Sequence, residues 1–273
     1  MSDDAALQSD LLTRFAAGVV MIAVACVAIY LGGWPFRLLA AAAAAAMMIE
    51  WGNMHRVAYG WTGLGVALLA APTLILPEIL FPAVERDPAE ISPELFDQAW
   101  MGFAGIAAAA LLYTLLSRRL TLGWGFLYIA LPSFALLVLS WAWFELVFWL
   151  MLVTWATDIF AYFAGRSIGG PKLAPKISPN KTWAGLLGGM AGAALVGAGA
   201  AWLFGIGEPF FWLGAPMGLL AQLGDLYESR VKRRLGVKDS GNLLPGHGGV
   251  LDRLDGLLPV VLATLVVLLA SLA

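Results

Sequence analysis

The sequence predicts an all-α, polytopic integral membrane protein: a bundle of about nine transmembrane helices with a cytoplasmic N-terminus. Of the 273 residues, 61% are hydrophobic and only 12% are charged, which excludes an ordinary soluble domain. Apolar runs of about 18 residues or more recur along the whole chain, as transmembrane helices require. Most cations also fall in segments that membrane topology would place on one side of the bilayer.

The predicted spans have boundaries that are approximate to a few residues. They are 15–33, 36–51, 61–80, 97–116, 122–140, 142–164, 183–205, 209–227 and 254–273. The span 36–51 is the weakest, because its alanine run is only marginally hydrophobic, and eight spans is the competing count. The first span is not a cleavable signal, since the ten residues at the start carry three aspartates and no lysine or arginine.

The cation distribution favours nine spans. With a cytoplasmic N-terminus, only Arg37 and Arg86 of the 16 cations face outward. Removing one early span would place Arg118 and Arg119 opposite the two large basic loops. We therefore expect a protein of the bacterial plasma (inner) membrane, with its polar loops facing the cytoplasm and no nucleic-acid partner.

The chain divides into three sections. N-terminal helices occupy 1–96, middle helices occupy 97–165, and a C-terminal region of 166–273 carries two long polar loops. The single cysteine, Cys26, lies in an apolar run, which excludes an intrachain disulfide or a thiolate metal cluster.

The first polar loop reads GRSIGGPKLAPKISPNKT over residues 165–182. Glycine and proline prevent one continuous helix here. The loop offers cations and hydrogen-bonding side chains, and a solvated basic loop is the alternative interpretation. Asp158, near the inner end of the sixth span, is costly in a membrane helix and favours a polar site beside this loop. The candidate binding residues of the loop are Lys172, Ser178, Asn180, Lys181 and Thr182.

The second polar loop, from Gly224 to Gly256, is dense in charge and glycine. Asp225 and Glu228 are three residues apart, so they share a face at the C-terminal end of the eighth span, where the helix dipole disfavours anions. Either the lysines and arginines that follow in the sequence or a divalent metal would compensate the two negative charges. Asp252 and Asp255 have the same spacing at the start of the last helix, where helix capping is the alternative explanation.

A pair of carboxylates on each side of the loop is typical of an oxygen-ligand metal site. Mg²⁺ prefers such ligands and commonly takes one or two carboxylates together with substrate phosphates. One cysteine and two histidines argue against zinc.

The glycine-rich turn 245–249 lies between these carboxylates. Its glycines let backbone N–H groups approach an anion and form a concave nest. His247 is a candidate donor to a phosphate oxygen, and a purely turn-forming role is the alternative.

The segment from Ser229 to Asp255 resembles the signature of the phosphatidate cytidylyltransferases, the CDP-diacylglycerol synthases. It matches the pattern S-x-hydrophobic-K-R-x4-K-D-x-small-x2-hydrophobic-P-x-H-G-G-hydrophobic-x-D-R-hydrophobic-D at every constrained position. The preceding GDLYES (224–229) and the first-loop SPNKTW (178–183) are also similar to the family. The N-terminal half resembles it only as a bundle of spans. Ala184 is a departure, since family members usually carry glutamate there.

The resemblance implies an Mg²⁺-dependent transfer of the cytidylyl group of CTP to phosphatidate, giving CDP-diacylglycerol and pyrophosphate. It favours Asp225 and Asp252 as metal ligands, with Asp255, Glu228 and Asp158 as further candidates. Other residues with implied catalytic roles are Lys232, Arg233, Lys238, Asp239, His247 and Arg253. Implied substrate contacts also include Ser229, Gly246, Gly248 and Gly249. A second, monovalent cation and a homodimer are left open.

The residues agree physically with this reaction. A phosphomonoester has a second pKa of about 6, so it is already a nucleophilic dianion at neutral pH and needs no strong general base. The difficulty is bringing two polyanions together, which requires cations and positioning. A CTP-dependent lipid alcohol kinase is the alternative enzyme. A membrane transporter is the alternative of a different class, and it predicts charges near the bilayer midplane.

Overall fold

The computed structural model describes residues 18–81, 94–244, 246 and 248–272, and these residues are almost entirely helical. A helix lies in each of the nine predicted spans, and the predicted all-α class is confirmed. The helices are α1 (Gly18–Leu31), α2 (Gly33–Met54), α3 (Tyr59–Leu80), α4 (Glu94–Ser117), α5 (Leu120–Ala142), α6 (Phe144–Ser167), α7 (Trp183–Phe204), α8 (Phe210–Arg234), α9 (Leu251–Leu254) and α10 (Leu257–Leu272).

Five of these helices, α3 to α7, have apolar segments long enough to cross a membrane. The apolar helices α1 and α10 are shorter within the described residues. Helices of membrane length therefore support an integral membrane protein. The count of nine spans and the cytoplasmic N-terminus stay predictions.

Helices α6, α7 and α8 pack closely because glycines face their neighbours. A Cβ atom added at Gly189 of α7 would lie 2.9 Å from the carbonyl oxygen of Thr157 on α6. One added at Gly197 would lie 3.2 Å from the Cα atom of Gly214 on α8. Small residues allow membrane helices to approach with their backbones nearly in contact, so this trio forms the compact frame of the C-terminal region.

Helix α5 is the most buried of the membrane-length helices, and α2, α4 and α10 pack around it. The backbone at Trp143 is extended (φ −161°, ψ 99°) and separates α5 from α6. The break predicted between the spans 122–140 and 142–164 therefore lies slightly later in the chain.

The first polar loop forms a small hairpin that was not predicted in the sequence. Strands β1 (Lys172–Ala174) and β2 (Ser178–Thr182) are antiparallel, with Lys172 opposite Thr182. The Thr182 hydroxyl accepts a hydrogen bond from the Gly185 N–H at 3.0 Å and caps α7. The hairpin is thus fixed directly to the N-terminus of a packed helix, because one residue ends the strand and caps the helix.

Helix α8 corrects the predicted placement of Asp225 and Glu228 at a helix C-terminus. The helix continues to Arg234, with Lys232, Arg233 and Arg234 in its last turn. These cations suit the negative end of the helix dipole, and they let the helix extend past both carboxylates. The predicted last helix is also divided, since Asp252 lies in the short helix α9 and Asp255 lies between α9 and α10.

Candidate active site

An open pocket of about 540 Å³ lies between α6, the hairpin, the start of α7 and α8. It brings together five of the predicted site residues from three separate segments of the chain. These are Asp158, Asn180, Lys181, Thr182 and Asp225. The two polar loops predicted to form one site therefore do meet in space.

Asp225 is the carboxylate of α8 that the pocket exposes. Its Oδ2 atom pairs with the Lys181 Nζ atom at 2.6 Å, and its side chain is 36% exposed. The Ser229 hydroxyl donates to Asp225 Oδ1 at 3.2 Å from the next turn of the helix. Asp225 is therefore held from two sides and remains accessible to a ligand.

Three polar or charged side chains of the pocket were missed by the sequence analysis, those of Tyr162, Arg166 and Gln222. Arg166 Nη1 donates to the Tyr162 hydroxyl at 2.9 Å, and its guanidinium lies 6.0 Å from the centre of that ring. Asp158, Tyr162 and Arg166 are spaced four apart on α6, and this helical spacing was the available signal. Arg166 adds a cation to the pocket.

A second, more buried cluster lies where α8 meets the glycine-rich loop. Lys232 Nζ is 2.5 Å from both Glu228 Oε2 and Asp252 Oδ1. Glu228 is 0% exposed, and it lies beyond the predicted eighth span. In this arrangement Lys232, an implied phosphate ligand, is enclosed between two protein carboxylates.

Asp252 organises the glycine-rich loop through its other oxygen. Its Oδ2 atom accepts hydrogen bonds from the Ser240 N–H at 2.8 Å, the Ser240 hydroxyl at 2.9 Å and the Gly249 N–H at 2.9 Å. Burial raises the pKa of Asp252, but the hydrogen bonds from Lys232, Gly249 and Ser240 outweigh it and hold the pKa below its ordinary value. The Gly249 N–H, implied as a substrate contact, is thus already engaged.

The pKa values of Glu228 and Lys232 both shift upward, but for different reasons. Burial raises the pKa of the Glu228 carboxyl to about 7, even though Lys232 opposes that change. Burial lowers the pKa of the Lys232 ammonium, but its bonds to Asp252 and Glu228 outweigh this and raise it. Lys232 therefore stays charged between them.

Glu50 is a buried carboxylate of α2 that the sequence analysis did not select. It accepts hydrogen bonds from the backbone N–H groups of Val250 and Leu251, both at 2.8 Å, and from the Ser240 hydroxyl at 2.9 Å. Its position in an alanine- and methionine-rich helix was the available signal, because a lone carboxylate in such a run needs polar partners.

Asp255 faces the carboxylates of α8 because that helix packs tightly on the turn before α10. A Cβ atom at Gly224 would lie 2.8 Å from Pro259 Cγ, and one at Gly256 would lie 3.1 Å from the Ala221 carbonyl oxygen. The negative charges of Asp225 and Glu228 act on the Asp255 carboxyl across this contact. Three carboxyl groups are therefore crowded on this side of the site.

The carboxylates fit a magnesium ion in donor chemistry. Within the described part of the chain, no three Asp, Glu, His or Cys side chains lie close enough to hold a metal ion together. Mg²⁺ commonly binds one or two carboxylates and completes its coordination with substrate phosphates and water. The exposed Asp225 meets that requirement, and the neighbouring Asp255 has one oxygen, Oδ1, that already accepts the Gly256 N–H at 2.7 Å. Both oxygens of Asp252 are occupied by protein donors.

The remaining predicted residues surround these two centres. Arg233 Nε donates to the Ile177 carbonyl oxygen at 3.3 Å and links α8 to the hairpin. Arg253 is exposed, and its charge acts on the Asp158 carboxyl. The side chains of Lys172, Lys238 and Asp239 are exposed, and Ser178 is partly buried. Gly246 and Gly248 have positive φ angles of 72° and 81°, whereas His247 lies outside the described residues.

A family profile and one of the relatives match this chain over nearly its whole length. The profile of the cytidylyltransferase family matches residues 12–271. A phosphatidate cytidylyltransferase of Brucella abortus is 37% identical over 267 residues, covering 91% of this chain and 90% of the relative. The phosphatidate cytidylyltransferase of Bacillus subtilis is 45% identical over 118 residues, covering 42% of this chain and 44% of the relative. That of Rickettsia bellii is 43% identical over 123 residues, covering 40% and 53%.

Proposed function

The chain belongs to the cytidylyltransferase family, and we propose that it transfers the cytidylyl group of CTP to phosphatidate. The products are CDP-diacylglycerol, a precursor for phospholipid synthesis, and pyrophosphate. The observation that carries the proposal is the pocket in which Lys181 of the hairpin pairs with Asp225 of α8. It joins the two segments that resemble the family at one polar site.

The reaction forms one phosphorus–oxygen bond and breaks another. An oxygen of the phosphatidate phosphate attacks the α-phosphorus of CTP, and the bond from that phosphorus to the bridging oxygen of the β-phosphate breaks. Pyrophosphate leaves with the electron pair. The attacking phosphomonoester is already largely dianionic at neutral pH, so the site needs no strong general base.

The cations of the pocket reduce the electrostatic repulsion between the two anionic substrates. Lys181 and Arg166 line it, and Arg253 acts electrostatically on the same region. Asn180 adds amide hydrogen-bonding groups, which fix orientation. Holding both phosphates in line is the main catalytic task in such transfers.

We propose Asp225 and Asp255 as the principal magnesium ligands, with Glu228, Asp158 and Asp252 as further acidic residues of the same region. The bound ion would neutralise phosphate charge and stabilise negative charge as it develops on the leaving group. The crowding of the Asp225, Glu228 and Asp255 carboxyl groups supports this assignment, because a bound cation would offset their mutual repulsion.

The membrane-length helices support an integral membrane protein whose lipid substrate reaches the pocket from the bilayer. The residues that follow the pocket residues Tyr162 and Thr182 in the chain, Phe163 and Trp183, have exposed apolar side chains. The finer proposal is nine spans in the bacterial inner membrane, with the N-terminus and the pocket on the cytoplasmic side. The distribution of lysine and arginine supports that orientation.

A product assay on detergent-solubilised protein tests the function. It supplies CTP, phosphatidate and Mg²⁺, includes an EDTA control, and measures CDP-diacylglycerol and pyrophosphate together. We expect both products in equal amounts, and only with metal. CDP and a phosphorylated lipid after addition of polyprenol or phytol would instead indicate a lipid alcohol kinase. No nucleotide turnover with any lipid would contradict both enzymes and favour transport.

A further inference from the structure

We infer that Glu50 is a positioning residue: from helix α2 it fixes the start of α9 and thereby the orientation of Asp252. The Glu50 side chain does not line the pocket, so it acts through the loop and does not touch substrate. This places a functional residue in the N-terminal section of the chain, outside the segments that carry the family signature.

The backbone N–H groups at the start of α9 need acceptors from outside the helix. The first N–H groups of any helix have no intrahelical partner, and the residue preceding α9, Val250, supplies no side-chain cap. Glu50 Oε1 accepts the Val250 N–H, and Oε2 accepts the Leu251 N–H. A carboxylate from a distant helix therefore replaces the local cap that this sequence lacks.

Among the residues that the structure describes, the Glu50 carboxylate has polar partners only in this loop. Its residue is 4% exposed, and no salt bridge to it occurs among the described residues. Burying a carboxylate is costly unless hydrogen bonds compensate. Its compensation comes from the loop, with the Ser240 hydroxyl as the third donor.

The loop is shaped to receive this side chain. A Cβ atom at Gly241 would lie 2.8 Å from Glu50 Cγ, and one at Gly249 would lie 2.6 Å from Glu50 Oε2. Any larger residue at either glycine would displace the carboxylate. These glycines therefore serve close approach of Glu50, in addition to any role near a phosphate.

A chain of contacts connects Glu50 to the site. Ser240 lies 2.9 Å from both Glu50 Oε2 and Asp252 Oδ2, and its hydroxyl carries one hydrogen that the two carboxylates share. Asp252 holds Lys232, and Lys232 holds Glu228 on α8. Loosening the start of α9 would therefore disturb the whole buried cluster.

The decisive variant is Glu50→Gln, which keeps the size of the side chain and replaces one acceptor by a donor. One backbone N–H at the start of α9 would lose its partner, because the amide has a single oxygen. We measure amide hydrogen exchange over 239–252 in the full-length protein, and kcat and KM for CTP. We expect exchange in this segment to rise at least about tenfold, and kcat to fall about 10- to 100-fold, the range for an unsatisfied buried donor.

Two controls separate positioning from general stability. Glu145→Gln removes a carboxylate at the start of α6, far from the loop, and should leave exchange over 239–252 and kcat unchanged. Glu50→Asp withdraws the carboxylate from the loop, and we expect intermediate values in both measurements. A purely structural role would lower the thermal midpoint while leaving kcat per folded molecule unchanged.

This role rests on the proposed function. The exchange experiment does not depend on turnover, so the two can fail separately. Wild-type protein without cytidylyl transfer would contradict the proposed function, and exchange would still decide the role of Glu50. Wild-type exchange and kcat in Glu50→Gln would overturn the inference. If that variant does not fold, a Glu50→Asp protein indistinguishable from wild type in both measurements would overturn it equally.

Discussion

At the scale of single residues, the site separates its charges into two groups with different exposure. Asp225 and Lys181 face the open pocket, whereas Lys232 is enclosed between Glu228 and Asp252. The exposed pair is available to substrates. The enclosed group is a buried ion-pair network, and removing one of its members would lower the stability of the fold. Substitutions in the two groups should therefore have different signatures.

Asp225→Asn should reduce kcat/KM by on the order of a hundredfold or more and leave the protein folded, because the side chain is partly exposed.

Asp252→Asn should abolish turnover and also lower the thermal midpoint, because the amide nitrogen would face the N–H donors of Ser240 or Gly249. Kinetics and thermal unfolding in detergent check both. Full activity of either variant would remove that carboxylate from the site, and Glu208→Gln, an exposed position, is the control.

Lys232→Met should lower the free energy of unfolding by about 3–5 kcal/mol, because it removes the cation shared by two buried carboxylates, Glu228 and Asp252. Adding Glu228→Gln should recover part of that loss. Denaturant or thermal unfolding of the purified variants checks the expectation. An unchanged unfolding free energy for the single variant would mean that water reaches this cluster and that the lysine is not structurally required.

At the scale of elements, the site depends on where helices begin and end. Thr182 caps α7 and fixes the hairpin, the cations at the end of α8 let that helix extend past its carboxylates, and Arg233 ties α8 back to the hairpin. The loop before α9 contacts α2 at the glycine positions. Each junction brings residues from separate sections of the chain to one place.

Gly249→Ala tests the closest of these junctions. The added methyl group would clash first with Ser240 Oγ of the same loop and would also meet Glu50 Oε2 at 2.6 Å. Both clashes disturb the contact between the loop and α2, so we expect turnover to fall about tenfold or more, with a cost of roughly 1–3 kcal/mol in stability. Gly199→Ala on α7 is the matched control, because nothing lies within 4 Å of its added Cβ atom. Equal activity of the two variants would contradict a tight loop.

At the scale of the whole molecule, the orientation in the membrane decides which compartment supplies CTP. The pocket, the hairpin and the glycine-rich loop share one end of the bundle. If the lysine and arginine distribution sets the orientation, that end faces the cytoplasm. The connection between α7 and α8 then faces the opposite side.

Cysteine labelling tests this orientation in a Cys26→Ser background, where no other cysteine is present. A membrane-impermeant maleimide should label Asn242→Cys in inside-out vesicles and Glu208→Cys in intact spheroplasts. Both positions are exposed. The reverse pattern would invert the topology, and labelling of both from the same side would mean that α8 does not span the membrane.

The helical class, the approximate position of each long helix and the family could all be predicted from the sequence. Apolar runs have a length that only membrane helices need, and the segment from Ser229 to Asp255 carries its chemistry in consecutive residues. The same local information identified Asp225, Lys181 and Asp158 as members of one site. It did not predict the hairpin, because a short pair of strands has no strong periodic pattern.

Which charges are exposed and which are buried could be read only from the folded chain. Asp225 and Asp252 look equivalent in the sequence, yet one opens to the pocket and the other is surrounded by protein donors. Glu50 is separated from its partners Ser240, Val250 and Leu251 by most of the chain. Hydrogen bonding and burial depend on distance in space, and a single sequence contains only distance along the chain.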